Sequence, residues 1–288
     1  MKRMRYVRLG SALLLLLAFF LLAGCDKKDK TADPAAAGSS EAAKQDISLN
    51  ENILQEIRDR GYLVAGCKAD TPRMGFYDEK TDTWSGLEVD LAWKTAAALF
   101  EVSEQEAREK ELLHIVPVTV ADREEKLEAG EVDCLFSTYT ITPERAERFD
   151  LSESYFTDFI SFLVRNEGED SNTLGGKNIK SIADLNGKNI GVASKSTTRA
   201  AILRFFSTMN SQTIDCKFFE YPSYDSLYKA LKAKQIDAVA VDVTILEGYV
   251  DSTTRILGDR FGAQRYGAAV KKENHALIEL INQTLAKQ

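Results

Sequence analysis

Apolar residues along this chain fall into two alternating patterns. Continuous apolar runs bounded by turn residues predict buried strands at 62–67 (YLVAGC), 113–119 (LHIVPVT), 132–137 (VDCLFS), 188–193 (KNIGVA), 216–221 (CKFFEY) and 236–242 (IDAVAVD). Between them, apolar residues recur at helical spacing. Helices are predicted at 49–60, stopped by Gly61, at 87–100, at 122–129, stopped by Gly130, at 197–209 and at 224–234. Strand and helix alternate, so a parallel sheet flanked by helices is expected.

The series runs twice. Leu127-x-Ala129-x-x-Val132-Asp133-Cys134 matches Leu231-x-Ala233-x-x-Ile236-Asp237-Ala238, each a helix end, a tight turn, an aspartate and a strand. Two similar lobes are predicted. Extended runs at 159–166 and 264–272 fall where the chain would cross between them. Paired crossings suit a hinge, and a cleft between lobes suits a ligand.

The N-terminus changes the picture of where the fold begins. Lys2, Arg3, Arg5 and Arg8 precede the apolar run 12–23, which is too short to span a membrane comfortably and reads as a signal peptide. Residues 26–46 contain no large apolar side chain and read as a disordered tether. About 240 residues remain, enough for two ordinary lobes. Removing the four n-region cations takes the net charge from −7 to −11, which argues against nucleic acid as a partner. Outside Cys25 the cysteines are Cys67, Cys134 and Cys216, the first two in strand-like runs where buried thiols are expected. With two histidines and no CxxC or HExxH, neither a metal site nor another cofactor is expected.

In parallel sheets ligands bind beyond the strand carboxyl ends. Those turns carry Lys68, Arg123, Ser137, Thr138, Thr140, Arg145, Ser196, Thr197 and Asp242. Arg145 is the odd one. Thr142-Pro143 starts a helix, which puts Arg145 in its first turn, beside the positive dipole end. An anion shared between the two would explain it, and an arginine fork grips carboxylate with two hydrogen bonds. Plainer readings stand beside this one. Arg145 and Arg123 each have neighbouring glutamates and could be solvated charges. Asp242, Ser196 and Thr197 could be helix caps.

Taken together, these positions resemble the family 3 solute-binding proteins of bacterial ABC importers. The resemblance rests on Trp84-Ser85-Gly86-Leu87-Glu88-Val89-Asp90-Leu91-Ala92, on Thr140-Ile141-Thr142-Pro143-Glu144-Arg145, on Phe149-Asp150-Leu151-Ser152, and on Leu185-Asn186-Gly187-Lys188-Asn189-Ile190-Gly191-Val192. It implies an α/β, two-lobed, periplasmic-binding-protein-like (type II) fold with an interlobe cleft and two hinge strands. Lobe 1 is expected at 49–161 plus 268–288 and lobe 2 at 162–267. It also implies a free amino acid as ligand, a membrane permease as partner, and a monomer that is not an enzyme. Leu22-Ala23-Gly24-Cys25 resembles the lipobox of bacterial lipoproteins, which implies lipidation at Cys25 and an extracytoplasmic, membrane-anchored location.

Residue by residue, the resemblance gives Arg145 the ligand α-carboxylate, shared with the Thr197 hydroxyl. Asp242 takes the α-ammonium. Ser137, Thr138 and Thr140 surround the ligand, and Ser196 stands beside Thr197. Lys68, Arg123 and Tyr224 match the side-chain pocket of aspartate and glutamate binders. Charge counting points the same way: with Arg145 and Asp242 answering the backbone charges, Lys68 and Arg123 are surplus cations unless the ligand brings a second carboxylate. Glutamine, histidine or cystine is the alternative, and a same-fold dehydratase is the rival class. Lys195 departs from the family, which commonly has a small residue there, often glycine. The chain stops at Gln288, sooner than many family members, so a final helix is expected missing or frayed.

Overall fold

The computed structural model describes residues 53–166, 179–209 and 215–287. The predicted signal segment, Cys25 and the tether lie outside these residues.

Strands β1 (Leu63–Lys68), β5 (Leu113–Val118) and β6 (Cys134–Phe136) run parallel, with β1 in the middle. Strands β14 (Ala269–Lys271) and β7 (Phe149–Leu151) extend this sheet antiparallel, giving the order β5-β1-β6-β14-β7. A helix over 53–60 (α1), α2 (Leu87–Leu99) and α9 (His275–Leu285) cover one face. Their apolar stripes pack Ile57, Leu91, Leu99, Leu277 and Ile281 against Leu63, Ala65 and Phe136. Helix α9, the last in the described residues, closes this core through Leu277, Ile278 and Ile281.

The second sheet repeats the plan. Strands β9 (Asn189–Ala193), β10 (Lys217–Tyr221) and β11 (Ala238–Asp242) are parallel, with β9 in the middle. The ten-residue β8 (Phe156–Arg165) lies antiparallel to β11, and β12 (Thr254–Ile256) and β13 (Phe261–Tyr266) both pair with β8. Helix α6 (Thr198–Thr208) buries Ala201, Ile202 and Phe206 on one side. Helix α7 (Tyr224–Lys232) buries Leu227 and Leu231 on the other, with Ser223 accepting from the Ser226 N–H at its start.

The shared signature has a mechanical basis. The Asp133 carboxylate accepts from the Val64 N–H at 2.8 Å, while the Asp133 N–H donates to the Val64 carbonyl at 2.9 Å. Asp237 does the same with Asn189, at 2.8 Å in both directions. Each aspartate pins the start of a central strand. Two residues on from the pinned position, both strands carry a glycine. A Cβ on Gly66 would lie 2.7 Å from Leu135, and one on Gly191 would lie 2.4 Å from Ile236. A side chain larger than hydrogen would crowd the buried Leu135 and Val118 side chains at Gly66, and Ile236 and Leu227 at Gly191.

The first crossing comes earlier than the expected range. The chain leaves the first sheet after Leu151 and enters the second at Phe156, ahead of the expected 161. The 264–272 run splits into β13 and β14, which belong to different sheets. Among the elements not predicted are the short helix α3 (Glu104–Glu109) and a small meander of β2 (Asp70–Thr71), β3 (Gly75–Asp78) and β4 (Thr83–Ser85).

Candidate ligand-binding cleft

The carboxyl ends of β1, β5 and β6 face those of β9 and β11 across a tight pocket. Arg123, Thr138, Thr140 and Arg145 line it from the first sheet, and Ser196, Thr197, Tyr224 and Asp242 from the second. These are eight of the ten positions expected from sequence. The other two are displaced. Ser137 stands behind the lining, its carbonyl accepting from Arg123 Nη1 at 2.5 Å. Lys68 is fully buried against the Tyr224 ring, 4.7 Å from its centroid, and is paired with Asp70 at 2.9 Å. Burial lowers the Lys68 pKa, against the opposing pull of Asp70. Lys68 is therefore not the surplus cation that charge counting required.

Helix α4 (Arg123–Ala129) starts at Arg123 and is closed by Gly130 in the left-handed conformation, φ 74°. Arg123 is buried, donates to the Ser137 carbonyl, and keeps its Nε without a partner. Beside it, Glu88 is fully buried and accepts from the Thr138 N–H and the Tyr155 hydroxyl. That bond holds Thr138 in a left-handed conformation, φ 48°, a strained one for a β-branched residue.

Helix α5 (Pro143–Arg148) is capped by Thr142, whose hydroxyl accepts from the Arg145 N–H at 3.2 Å. Arg145 is 7 % exposed, so it is not a solvated surface charge. Its plane lies 4.0 Å from the Tyr139 ring centroid, and Nη1 donates to the Thr140 carbonyl at 2.8 Å. Burial, and then the neighbouring Arg123, pull its pKa down to about 10. Glu124 lies 3.6 Å from Arg145 Nε, and the Nη atoms of Arg145 face the rim of the cleft, where a further anion would stabilise the charge.

In the second lobe, Asp242 ends β11 and precedes α8 (Val243–Glu247), but its side chain does not cap that helix. Asp158, on β8, does so instead, accepting from the Thr244 N–H at 2.9 Å. The Asp242 carboxylate is thereby left to the cleft, where it accepts from the Tyr266 hydroxyl at 2.5 Å. Burial raises its pKa to about 7, and the nearby Asp158 adds to this while the Tyr266 bond opposes it. Thr197 does not cap α6 either. Its hydroxyl donates to Gln264 Oε1 at 2.7 Å, and Thr140 donates to the same oxygen at 2.9 Å. Ser196 keeps a capping role, its Oγ 3.4 Å from the Thr198 N–H.

The lobes also touch at the rim. Arg145 Nη2 donates to the Lys195 carbonyl at 3.3 Å, and Lys195 Nζ meets Glu125 at 2.5 Å. Arg73 meets Glu247 at 2.6 Å, and the Tyr249 hydroxyl donates to the Asp70 carbonyl at 3.0 Å. Asp158, Gln264 and Tyr266 were not expected from sequence. They lie on the two crossing strands, with Gln264 directly opposite Asp158. Cys67 and Cys134 are free, buried thiols, and burial raises the pKa of both. Among the described residues, no cluster of side chains could hold a metal ion, and no helix is long and apolar enough to cross a membrane.

Two α/β sheets of similar plan, with Arg145 and Asp242 lining one pocket between them, define a two-lobed binding fold. The particular family follows from comparison. Residues 63–288 match the model of the bacterial extracellular solute-binding proteins, family 3, and the chain belongs to that family. It is 30 % identical over 278 residues to the ABC transporter glutamine-binding protein GlnH of Bacillus subtilis, covering 96 % of this chain and 90 % of that one. It is 26 % identical over 262 residues to the glutamate-binding protein GluB of Corynebacterium glutamicum, covering 88 % and 82 %. Among solved structures, the arginine-bound truncated arginine-binding protein of T. maritima superposes with a TM-score of 0.65 at 29 % identity, covering 81 % of this chain and 99 % of that one. The fold is the type II periplasmic amino-acid-binding fold, and the family is extracytoplasmic.

Proposed function

We propose that this protein captures a free polar α-amino acid in the cleft and delivers it to an ABC-importer permease. One observation carries the reading. Arg145 and Asp242, buried and of opposite charge, line one pocket from opposite lobes. A zwitterion answers both, and only when the lobes are together. Ligand that binds both charges shifts the population toward the closed form. On this reading Arg145 grips the α-carboxylate and Asp242 the α-ammonium.

The ligand side chain ends in oxygen, with glutamine ahead of glutamate and aspartate. Lys68 is answered by Asp70, so a second ligand carboxylate is no longer required to neutralise it. Arg123 still offers its Nε, and a carboxamide oxygen accepts from it as a carboxylate does. The names of the glutamine- and glutamate-binding relatives fit this ligand class. Calorimetric titration of the chain from about Asn50 with the standard amino acids tests the reading. Binding confined to amino acids with apolar or cationic side chains would remove it. Turnover of a bound compound would favour the dehydratase class instead.

We further propose that Cys25 carries the lipid that anchors the protein to the membrane, leaving the cleft on a tether. Radiolabelled palmitate should enter the chain and should fail to enter the Cys25→Ser variant.

A further inference from the structure

We infer that residues 70–73 and 247–249 form a clasp that holds the two lobes together without ligand, and that Gly248 is the position that lets it shut. The inference does not need the identity of the ligand, because every contact in the clasp joins protein to protein.

It starts at the corner that follows β1. The chain passes Lys68 and Asp70, then turns through Pro72 and Arg73 before β3. Across the gap stand the end of α8 and the start of α7. Three bridges are already described: the Lys68 ammonium over the Tyr224 ring, the Tyr249 hydroxyl on the Asp70 carbonyl, and Arg73 against Glu247. The fourth is steric and explains a glycine. Gly248 has φ −72° and ψ −14°, an ordinary helical conformation that any residue adopts. Its backbone therefore gives no reason for a glycine. A Cβ there would lie 2.8 Å from Pro72 Cδ and 3.1 Å from Pro72 Cγ. The nearest atom of its own lobe is the Ile245 carbonyl oxygen, at 3.3 Å, a distance that a slight shift relieves. The closed proline ring cannot swing aside as a flexible side chain would. What excludes a side chain at 248 is the other lobe, and only while the lobes are together.

None of residues 70–73 or 247–249 lines the pocket. Filling or emptying it leaves their contacts as they are. The Arg73–Glu247 pair is exposed on both sides and adds little. The Tyr249 bond and the burial of Lys68 under Tyr224 carry more, since both are taken out of water when the lobes meet. A chain closed in this way presents its binding-competent form in advance, and every ligand of the cleft gains by the same factor.

Lys68 is also the reporter. It is fully buried while the Tyr224 ring covers it, and it meets solvent when the lobes part. The purified full chain, without ligand, is acetylated with an N-hydroxysuccinimide ester, and the rates at Lys68 and at the exposed Lys229 of α7 are read by peptide mass spectrometry. In the unaltered chain Lys68 should react far more slowly than Lys229. Gly248→Ala should speed Lys68 by about fivefold or more, the cost of one methyl forced into a packed contact, and leave Lys229 unchanged. Its melting temperature should not fall, because alanine suits a helical position at least as well as glycine. Equal rates at the two lysines in the unaltered chain would overturn the inference, and so would an unchanged Lys68 rate in Gly248→Ala. If Gly248→Ala melts early, Tyr249→Phe decides. It keeps the ring, removes only the bond to Asp70, and should speed Lys68 by about threefold. No change there would sink the clasp. These readouts hold whether or not the amino-acid reading survives. Where L-glutamine and L-glutamate both bind, Gly248→Ala should weaken them by one common factor, and a loss confined to one would make position 248 a ligand contact instead.

Discussion

Asp158 and Asp242 converge on one proton. The Tyr266 hydroxyl lies 2.5 Å from Asp242 Oδ2 and 3.4 Å from Asp158 Oδ2. Tyr266 can donate to one of them at a time, and the pKa of Asp242 is raised to about 7 by burial and by Asp158. Below that pH Asp242 takes up a proton and no longer offers a full charge to an ammonium. Amino-acid affinity should therefore fall by up to about tenfold per pH unit below 7, and level off above it. Calorimetry between pH 5 and 8 checks this. A flat profile would remove Asp242 from the ammonium site.

The same carboxyl makes a prediction for the ligand-free chain, with the opposite sense. Its folded pKa of about 7 lies above the ordinary 3.8, so between these values the folded state holds more proton than the unfolded state. Its contribution to stability declines as pH rises through that window, by at most about 4 kcal/mol. Asp242→Asn should abolish amino-acid binding, remove this decline, and raise the melting temperature at pH 8. A lower melting temperature would contradict the prediction.

Asp70→Asn leaves the buried Lys68 ammonium without its partner. It should cost about 3–5 kcal/mol in denaturant unfolding, as breaking one side of a buried pair does. Adding Lys68→Met should recover most of that loss. If the double variant is no more stable than Asp70→Asn alone, the pair is not what holds this corner together.

Asp133→Ala and Asp237→Ala remove equivalent pins from the two sheets. Each leaves one partly buried strand N–H without its acceptor, at a cost of about 1–3 kcal/mol. The losses should be alike in urea titrations. A negligible effect at either position would show that the shared signature has no common mechanical role.

Lys195 stands at φ 57° and pairs with Glu125, with both side chains substantially exposed. Lys195→Gly gives up a pair worth at most about 1 kcal/mol and relieves a left-handed conformation that costs a similar amount. Stability should change by less than about 1 kcal/mol, and affinity by less than about threefold. A tenfold loss of affinity would make the contact a required latch for closure.

The frame of the molecule was readable because its central strands are buried on both faces. Runs such as Leu63–Lys68 and Ala238–Asp242 are almost unbroken in apolar residues, so pattern and position agree. Arg145 was readable because a cation in the first turn of a helix needs a reason. The β2–β4 meander was not readable, since its strands are short and partly exposed. Asp158 and Gln264 were missed for a different reason. Asp158 caps a helix 86 residues away, and Gln264 joins threonines 124 and 67 residues away. Neither partner is near in the chain. Asp70 was in view beside Lys68, but counting ligand-facing charges passed over the pairing that geometry imposes.

The joint between the lobes is a pair of short crossings, 152–155 and 267–268, tied to each other where the Ser152 N–H donates to the Ala268 carbonyl and the Tyr155 N–H to the Tyr266 carbonyl, each at 3.0 Å. A paired ribbon bends and twists but does not slip, so each opening and closing returns the lobes to the same alignment. It also presents no slack loop to a protease, an advantage for a protein that works outside the cell.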